Sequence, residues 1–483
     1  MRITALNPPF LPHFSRGQRS PAVTRSGTLY YPIWLSYAVA ALEQAGHTVQ
    51  FLDSPAMELG ESETIARIGE FRPQLLVMET STPSIINDTR FADTLASLGY
   101  TVFIAGTHPS ALPEETLRLG SLFAGAILGE YEIPLLNIAE AIASSGHLEG
   151  IPGTAVRSSS EDSVTVTPPK GFLQDLDSLP FVSSVYAKHL PVARYNNPNA
   201  LHPQVMIMGG RGCPNMCSFC VFPQTLTGRS YRSRSPENVA QEMLWVQENM
   251  PEVKAVFFED DTIAADPIRL RSLAGVMQER GVTISWTCNM RASVDIETLE
   301  ICRKAGLRSV CVGFESGSDE ILTAMKKGLS TARMKQFARD ASKAGILVHG
   351  CFLFGIPGET RKTAQATLRF AMDLKPDTAQ FYPLMVYPGT DAYAQVAREG
   401  LLVASSWRDW LREDGTHACV VKTGDMTSDE LVEFCNHARR KFYLRPSYIL
   451  RKLWRSLFDK EERHRTFLAF RTFRKHLFRG KNG

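Results

Sequence analysis

The chain has 483 residues, a formal net charge of +3, 44% hydrophobic and 21% charged residues. This composition excludes an intrinsically disordered chain, and the length excludes a single core, since one hydrophobic core stops growing near about 250–300 residues. The longest apolar run, LYYPIWLSYAVAAL, is shorter than the ~20 residues a bilayer span needs and is preceded by a strand-like segment that a signal peptide would lack, so a cytosolic protein is expected.

From the N-terminus, short apolar runs alternate with amphipathic stretches. RITALNPP reads as a strand, YPIWLSYAVAALEQAG as a helix closed by Gly46, and TVQFLDS as a second strand. QLLVMETST, TVFIAGTHP and AGAIL follow as further strands, separated by ETIARIGEF and FADTLASLG and followed by the helical EIPLLNIAEAIASSG. Five strands with intervening helices over residues 1–148 predict an α/β, doubly wound (Rossmann-like) parallel sheet. Ligands of such sheets lie beyond the carboxyl ends of the strands. Here those ends read NPP, DSP, TSTP, GTHPS and GEYE, small and turn-forming residues that let a large ligand approach the backbone and that also make ordinary βα turns. Residues 149–202 lose the helical period and gain Pro, Ser and Asp, which predicts a linker with room for one hairpin. A second alternation fills residues 203–395, with strands at VMIMGG, AVFFED, ISWTCNM, SVCVGFES, VHGCFLFG and AQFYPLMVYPG. Such β/α units of ~30 residues fit a partial (β/α)6 barrel, whose chemistry sits at the strand C-terminal face, better than a second doubly wound sheet, although periodicity does not separate the two. Residues 396–483 form a helical C-terminal region.

The first barrel strand runs into RGCPNMCSFC, where Cys213, Cys217 and Cys220 form CxxxCxxC. A structural zinc site wants four ligands, and no fourth lies near this loop. Three thiolates on one loop instead suit three irons of a cubane cluster, leaving the fourth iron open as a binding site. Gly209, Gly210 and Gly212 let the backbone fold around a bulky inorganic group, and Phe219 would shield it. The other cysteines are dispersed, and Cys288, Cys302, Cys311 and Cys351, in strand or helix contexts, read as buried small apolar residues.

CPNMCSFC resembles the signature of radical S-adenosylmethionine (SAM) enzymes, in which three cysteines hold a [4Fe–4S] cluster whose open iron chelates SAM. The resemblance spans roughly residues 203–395. It implies SAM-binding roles for Asp260 and Asp261 in FFEDDT, for Glu315 and Ser316 in VGFESGSDEIL, for Gly355, Ile356, Pro357 and Gly358 in FLFGIPGET, and for Phe219 beside the cluster. A doubly wound domain in front of such a barrel resembles the cobalamin-binding domain of the B12-dependent radical SAM enzymes. GTHPSALPEE and ILGEYE resemble the segments that line the corrinoid, which places Thr80, Ser81, Thr82, Gly106, His108, Gly129 and Glu130 nearest cobalamin. The chain contains no DxHxxG, the motif that ligates cobalt through His in the methionine-synthase-like relatives, so no lower axial ligand is assigned. No cysteine precedes Cys213, which disfavours the methylthiotransferase branch with its second cluster. In the resembled class the reduced cluster cleaves SAM to a 5′-deoxyadenosyl radical, and methylcobalamin donates a methyl group to the substrate radical. The leading expectation is a methyltransferase acting at an unactivated carbon or at phosphorus, fed by an external electron donor of the flavodoxin or ferredoxin type. A B12-dependent radical cyclase or ring-rearranging enzyme is the first alternative, and a non-catalytic cluster and corrinoid sensor the second. No side chain is named as catalytic.

The loop VFPQTLTGRSYRSR carries Arg229, Arg232 and Arg234, which read either as an anion site or as a solvated loop, and Arg291 reads as a surface salt bridge. From Arg439 onward Lys and Arg greatly outnumber acids, and two apolar stripes recur at helical spacing: Leu450, Leu453, Trp454 and Leu457, then Phe467, Phe470, Phe473 and Leu477. Residues 439–483 therefore suit peripheral contact with an anionic membrane and a lipid-linked or small-molecule substrate. The competing reading docks the apolar face on the enzyme with the charges solvated; nucleic acid is disfavoured.

Overall fold

The computed structural model of the chain describes all residues except 25–26, 145, 159–162, 459–462 and 464–483. The first sheet contains the parallel strands β1 (Arg2–Asn7), β2 (Thr48–Asp53), β3 (Leu75–Thr80), β4 (Val102–Gly106) and β5 (Gly125–Ile127) in the order β2-β1-β3-β4-β5. β3 and β4 are buried at every residue, as expected of central strands covered by helices on both faces. The order reverses beside β1, so the ligand crevice of this sheet opens at the ends of β1 and β3. The hairpin expected in the linker is β6 (Thr154–Arg157) and β7 (Val164–Thr167), and it adds antiparallel to β5, extending the first sheet past residue 148.

The barrel begins with β8 (Gln204–Ile207), followed by a short ribbon of β9 (Gly210–Arg211) and β10 (Arg232–Ser233) that brackets the cysteine loop. β11 (Ala255–Phe258), β12 (Ser285–Met290), β13 (Leu307–Glu315), β14 (Leu347–Phe354) and β15 (Thr378–Pro383) complete six parallel strands in sequential order, with β8 and β15 at the open edges. Asp266, Asp295, Ser330 and Thr360 each cap a barrel helix by accepting from backbone N–H groups, so polar residues at the strand-to-helix turns start each crossover where the sequence pattern changes period.

The two sheets share one core. The helix Ile33–Gln44, built from the longest apolar run, is buried from Ile33 through Leu42. A helix that is apolar all round belongs in an interior, and here Tyr37 Oη accepts from Met208 N at the end of β8 (3.0 Å). The buried cluster is continuous from Ile3 and Val77 in the first sheet to Val205, Val310 and Phe381 in the barrel. Among the described residues no helix is long and apolar enough to cross a membrane.

After the barrel, the helix Ser428–Tyr443 packs Leu431, Cys435, Ala438 and Phe442 against β15. The helix Pro446–Phe458 then reverses the docking expected for it. Its polar side faces the protein: Arg451 donates to the carbonyls of Lys375 and Pro376 (both 3.1 Å), Tyr448 Oη to the carbonyl of Asp377 (3.0 Å), and Arg455 pairs with Asp377. Leu450, Leu453, Trp454, Leu457 and Phe458 face outward instead. The stripe at Phe467, Phe470, Phe473 and Leu477 lies outside the described residues.

Candidate active site

The cysteine loop is held from below by the carboxylates that follow β11. Asp261 Oδ2 accepts from Gly212 N (3.1 Å) and Thr227 Oγ1 (2.8 Å), and Asp260 Oδ1 accepts from Gly209 N (2.8 Å). Gly212 has φ +85°, and a Cβ there would stand 2.1 Å from the Ser230 carbonyl, so only glycine lets the loop close. Cys213 and Cys217 are buried and Cys220 is half-buried. The Cys220 thiol is pushed up to about 12, first by burial, then by Asp261, and also by the two neighbouring thiols; Arg19 opposes the shift. Three thiolates crowded in this way repel one another, and a metal cluster is the kind of cation that relieves the repulsion. Two side chains absent from the sequence motif add positive charge. Arg291 Nη1 is 3.9 Å from Cys217 Sγ, in place of the surface salt bridge expected for it, and Lys327 Nζ lies 6.0 Å over the Phe219 ring. Burial lowers the Lys327 pKa, but Glu315 and the Cys217 thiol outweigh it and hold the ammonium protonated.

Of the candidate SAM residues, Asp260 and Asp261 bond this loop directly and Glu315 reaches it through Lys327. Glu315, at the end of β13 with φ +63°, accepts from Lys327 Nζ through Oε1 (2.9 Å), while its Oε2 is buried with no hydrogen-bond partner. Asp260 Oδ2 is likewise buried and unpartnered, and burial raises this carboxyl to about 7. A third orphan oxygen, Glu359 Oε1, belongs to a residue the motif reading passed over. Its Oε2 accepts from Gly355 N (2.6 Å), fixing the turn Gly355–Gly358, in which both glycines have positive φ. Ile356 is buried, and a Cβ on Gly358 would meet nothing within 4 Å, which leaves that end of the turn open. Ser316 has a different part: its hydroxyl pairs with Thr367 Oγ1 (3.2 Å) and accepts from Ser318 N (3.2 Å), so it shapes the turn after β13. Buried polar atoms normally have partners. The two free acceptor oxygens tied to the thiol loop, on Asp260 and Glu315, therefore fit a ligand that brings an ammonium group and hydroxyls, as SAM does.

Above the barrel mouth stands the loop between β1 and the helix Ile33–Gln44, which the sequence reading treated only as a strand end. Arg19 pairs with Glu259 and donates to the carbonyls of Glu259 (3.1 Å) and Asp260 (2.9 Å). Asn289 Nδ2 also donates to Glu259 (3.1 Å). Glu259 was within reach of sequence reasoning, because the period of two along VFFED puts it on the face of Phe257. Arg19 carried no such signal.

At the carboxyl edge of the first sheet, Gly106 has φ +152° and a Cβ there would lie 2.1 Å from the Thr80 carbonyl. Thr80 Oγ1 donates to Asp88 Oδ2 (2.8 Å), which a bidentate Arg16 holds, and the hydroxyls of Ser81 and Ser84 pair at 3.0 Å. Gly129 N donates to Ser110 Oγ (3.0 Å). His108 is fully buried, with Nδ1 3.1 Å from Thr82 Oγ1, Nε2 unpartnered, and Trp407 edge-on at 4.9 Å; burial drops its pKa to about 3, so the ring is neutral. Trp407 belongs to the stretch 396–420, which thereby reaches across to this edge. Glu130 is committed elsewhere, to Arg232 (2.7 Å) and to Leu173 N (3.0 Å). Arg232 and Arg234 are accordingly buried in ion pairs, the latter with Glu242, and neither is a solvated loop residue. The small residues, the glycine cradle and the unpartnered imidazole nitrogen fit the amide-rich edge of a corrinoid. The two candidate sites adjoin: a Cβ on Gly389 would touch Thr225 beside the cysteine loop (2.8 Å) and Ala111 after β4 (2.9 Å).

Residues 207–371 match the Radical SAM superfamily, and residues 19–139 match the B12 binding domain. The chain belongs to the cobalamin-binding radical SAM enzymes. Within this family it is 28% identical over 431 residues, 89% of this chain and 91% of the other, to the uncharacterized methyltransferase PH0819 of Pyrococcus horikoshii. It is 24% identical over 429 residues, 86% of this chain and 67% of the other, to the anaerobic magnesium-protoporphyrin IX monomethyl ester cyclase of Cereibacter sphaeroides. Among solved structures, the radical SAM methyltransferase TsrM of Kitasatospora setae, with cobalamin and a [4Fe–4S] cluster bound, shares the fold with a TM-score of 0.69 at 18% identity, covering 92% of this chain and 89% of that one. The radical SAM enzyme described here thus has the expected α/β architecture, a B12-binding sheet followed by a six-stranded partial barrel, and its family cofactors are the [4Fe–4S] cluster, SAM and cobalamin.

Proposed function

We propose that this enzyme transfers a methyl group to an unactivated carbon, or to phosphorus, in a small-molecule or lipid-linked substrate bound in the barrel lumen. The observation that carries the reading is the abutment of the two candidate cofactor sites, with Gly389 between Thr225 and Ala111 and with Arg19 of the B12-binding domain bonded to Glu259 and Asp260 of the barrel. When bound, the cofactors supply the oxidant for an unactivated bond and the methyl group. The chain's own contribution is to hold and to exclude. Cys213, Cys217 and Cys220 would hold three irons. Asp260 and Glu315 would offer their free carboxylate oxygens to the amine and hydroxyls of SAM, Gly355–Gly358 would form a further part of its site, and Thr80, Ser81, Thr82, Gly106, His108 and Gly129 would cradle the corrinoid. Arg19 ties the B12-binding domain to the barrel, and Glu259, held also by Asn289, balances its charge. Electrons would come from a flavodoxin- or ferredoxin-type donor.

The test is anaerobic reconstitution with iron and sulfide, addition of hydroxocobalamin, and reduction in the presence of methyl-labelled SAM. The expected outcome is about one tightly held corrinoid per chain, label in that corrinoid, and 5′-deoxyadenosine in the product mixture. Nucleoside without bound corrinoid would sink methyl transfer, and a purely sensory protein would form no nucleoside. The cyclase reading is favoured by the similarity to the anaerobic magnesium-protoporphyrin IX monomethyl ester cyclases; it predicts turnover without net methyl loss from the labelled corrinoid.

The outward stripe of the helix Pro446–Phe458 supports contact with an anionic membrane. Leu450 and Trp454 are 67% and 65% exposed although the basic side chains beside them are anchored to the protein. An apolar strip set in a strongly basic segment suits the headgroup boundary of anionic lipid. Sedimentation with vesicles of mixed phosphatidylglycerol and phosphatidylcholine is expected to capture the enzyme, and a Leu453→Glu, Trp454→Glu variant to bind at least about tenfold more weakly. Equal binding of variant and parent, or binding to nucleic acid in place of vesicles, refutes this surface.

A further inference from the structure

Two cysteines expected in the hydrophobic core face the barrel lumen instead. Cys311 lies on β13, and His349 and Cys351 lie on β14, in a parallel register that sets Cys311 opposite His349 and Gly313 opposite Cys351. Alternate residues of a strand share a face. Cys311 thus shares the side of Glu315, while Val310, Val312 and Val348 pack into the barrel's hydrophobic layer. The contrast with Cys288, Cys302 and Cys435 is direct: those are 0%, 0% and 1% exposed, whereas Cys311, His349 and Cys351 are all half-buried, and Cys311 stands opposite Asn289, which bonds Glu259.

The donor atoms of these three residues lie within 4.8 Å of one another. Cys311 Sγ and Cys351 Sγ are 3.8 Å apart. Two thiolates bound to zinc at about 2.3 Å under a tetrahedral angle stand about 3.8 Å apart, so the sulfurs already have the spacing of a zinc dithiolate. A disulfide would need the same atoms near 2.05 Å. The His349 ring is oriented by the contact of Nδ1 with Thr378 Oγ1 (2.8 Å), the kind of partner that fixes the rings of metal-bound histidines. Charge agrees as well: two thiolates and a dication sum to zero, which lets the ion sit in a partly desolvated lumen with no further counter-charge.

We infer that Cys311, His349 and Cys351 form a second metal site, distinct from the cysteine loop, that takes one zinc ion through two thiolates and an imidazole. Two cysteines and one histidine are the donor set of a zinc site with a free fourth position, and the three residues are half-buried, not sealed in the core.

The experiment uses the full chain with its cluster reconstituted, incubated with zinc chloride, desalted, and assayed for zinc and iron together. About one zinc per chain is expected beside the cluster iron, with zinc K-edge absorption showing two sulfurs at about 2.3 Å and nitrogen at about 2.0 Å. Cys351→Ser and Cys311→Ala should each lose the zinc and keep the iron, whereas Cys217→Ala should lose the iron and keep the zinc. Should a variant lose both metals through misfolding, the absorption spectrum of the parent protein decides by itself. The inference is overturned if the parent retains no zinc after desalting, if its zinc shows a sulfur count other than two, if the zinc is lost in Cys217→Ala but kept in Cys351→Ser, or if mass spectrometry finds Cys311 and Cys351 joined as a disulfide.

Discussion

Cys217→Ala is expected to lose the iron–sulfur cluster and, with it, all 5′-deoxyadenosine formation above the uncatalysed background. Cys217 is buried between Cys213 and Cys220 on one loop and faces the two cations, Arg291 and Lys327. Alanine leaves two thiolates to hold a group that needs three, and the cations then have one fewer anion to balance them. The deletion also spares the fold: the loop is fixed by backbone N–H groups bonded to Asp260 and Asp261 and by the Gly212 turn, none of which involves the thiol. Circular dichroism should therefore be unchanged while bound iron falls to background. Cys302→Ala is the control, because that thiol is fully buried in a helix against the barrel wall and its loss should leave iron intact. Full iron in Cys217→Ala would mean that the cluster is held elsewhere in the chain.

Arg211→Ala is expected to destabilise the joint between the two sheets by about 3–5 kcal/mol, the range for removing one partner of a buried ion pair. The guanidinium comes from β9 in the barrel entry and reaches Glu132 (2.6 Å) and Glu130 (3.4 Å), on the loop and helix that follow β5. It also lies over the rings of Trp34 (5.2 Å) and Tyr37 (4.9 Å). Its side chain is 1% exposed, as is that of Glu132, so water cannot replace the lost partner. Glu130 keeps Arg232, and the penalty falls on Glu132. Urea unfolding followed by tryptophan fluorescence should show an earlier first transition. An Arg211→Met, Glu132→Leu double variant should recover most of the loss, since it leaves no buried charge unpaired. An unchanged midpoint in Arg211→Ala would show that the joint rests on the apolar core alone.

Much of this molecule was legible in the order of its residues. The alternation of five short apolar runs with amphipathic stretches states a doubly wound sheet, and the structure returns those strands as β1 to β5. CxxxCxxC announces its chemistry because ligands on one loop are neighbours in sequence as well as in space. Glu259 and Glu359 lie inside FFEDDT and FLFGIPGET, next to Asp260 and Gly358, and only the strand period and the turn geometry give them their parts.

Other features had no local trace. Cys311 and Cys351 sit in apolar strands where either face reads as core; only the closure of the barrel decides that theirs is the lumen side. The terminal helix is amphipathic by sequence, yet the carbonyls of Lys375, Pro376 and Asp377 draw its arginines inward and turn its leucines out. Trp407 reaches His108 from 299 positions along the chain, and Arg19 reaches Glu259 from 240. By itself the sequence determined the two sheets, their order in the chain and the thiol loop, because periodicity and ligand spacing act over a few residues. The tertiary structure alone decided which face each strand gives the chamber and which charge meets which, because those depend on register and on desolvation of groups brought together from distant parts of the chain.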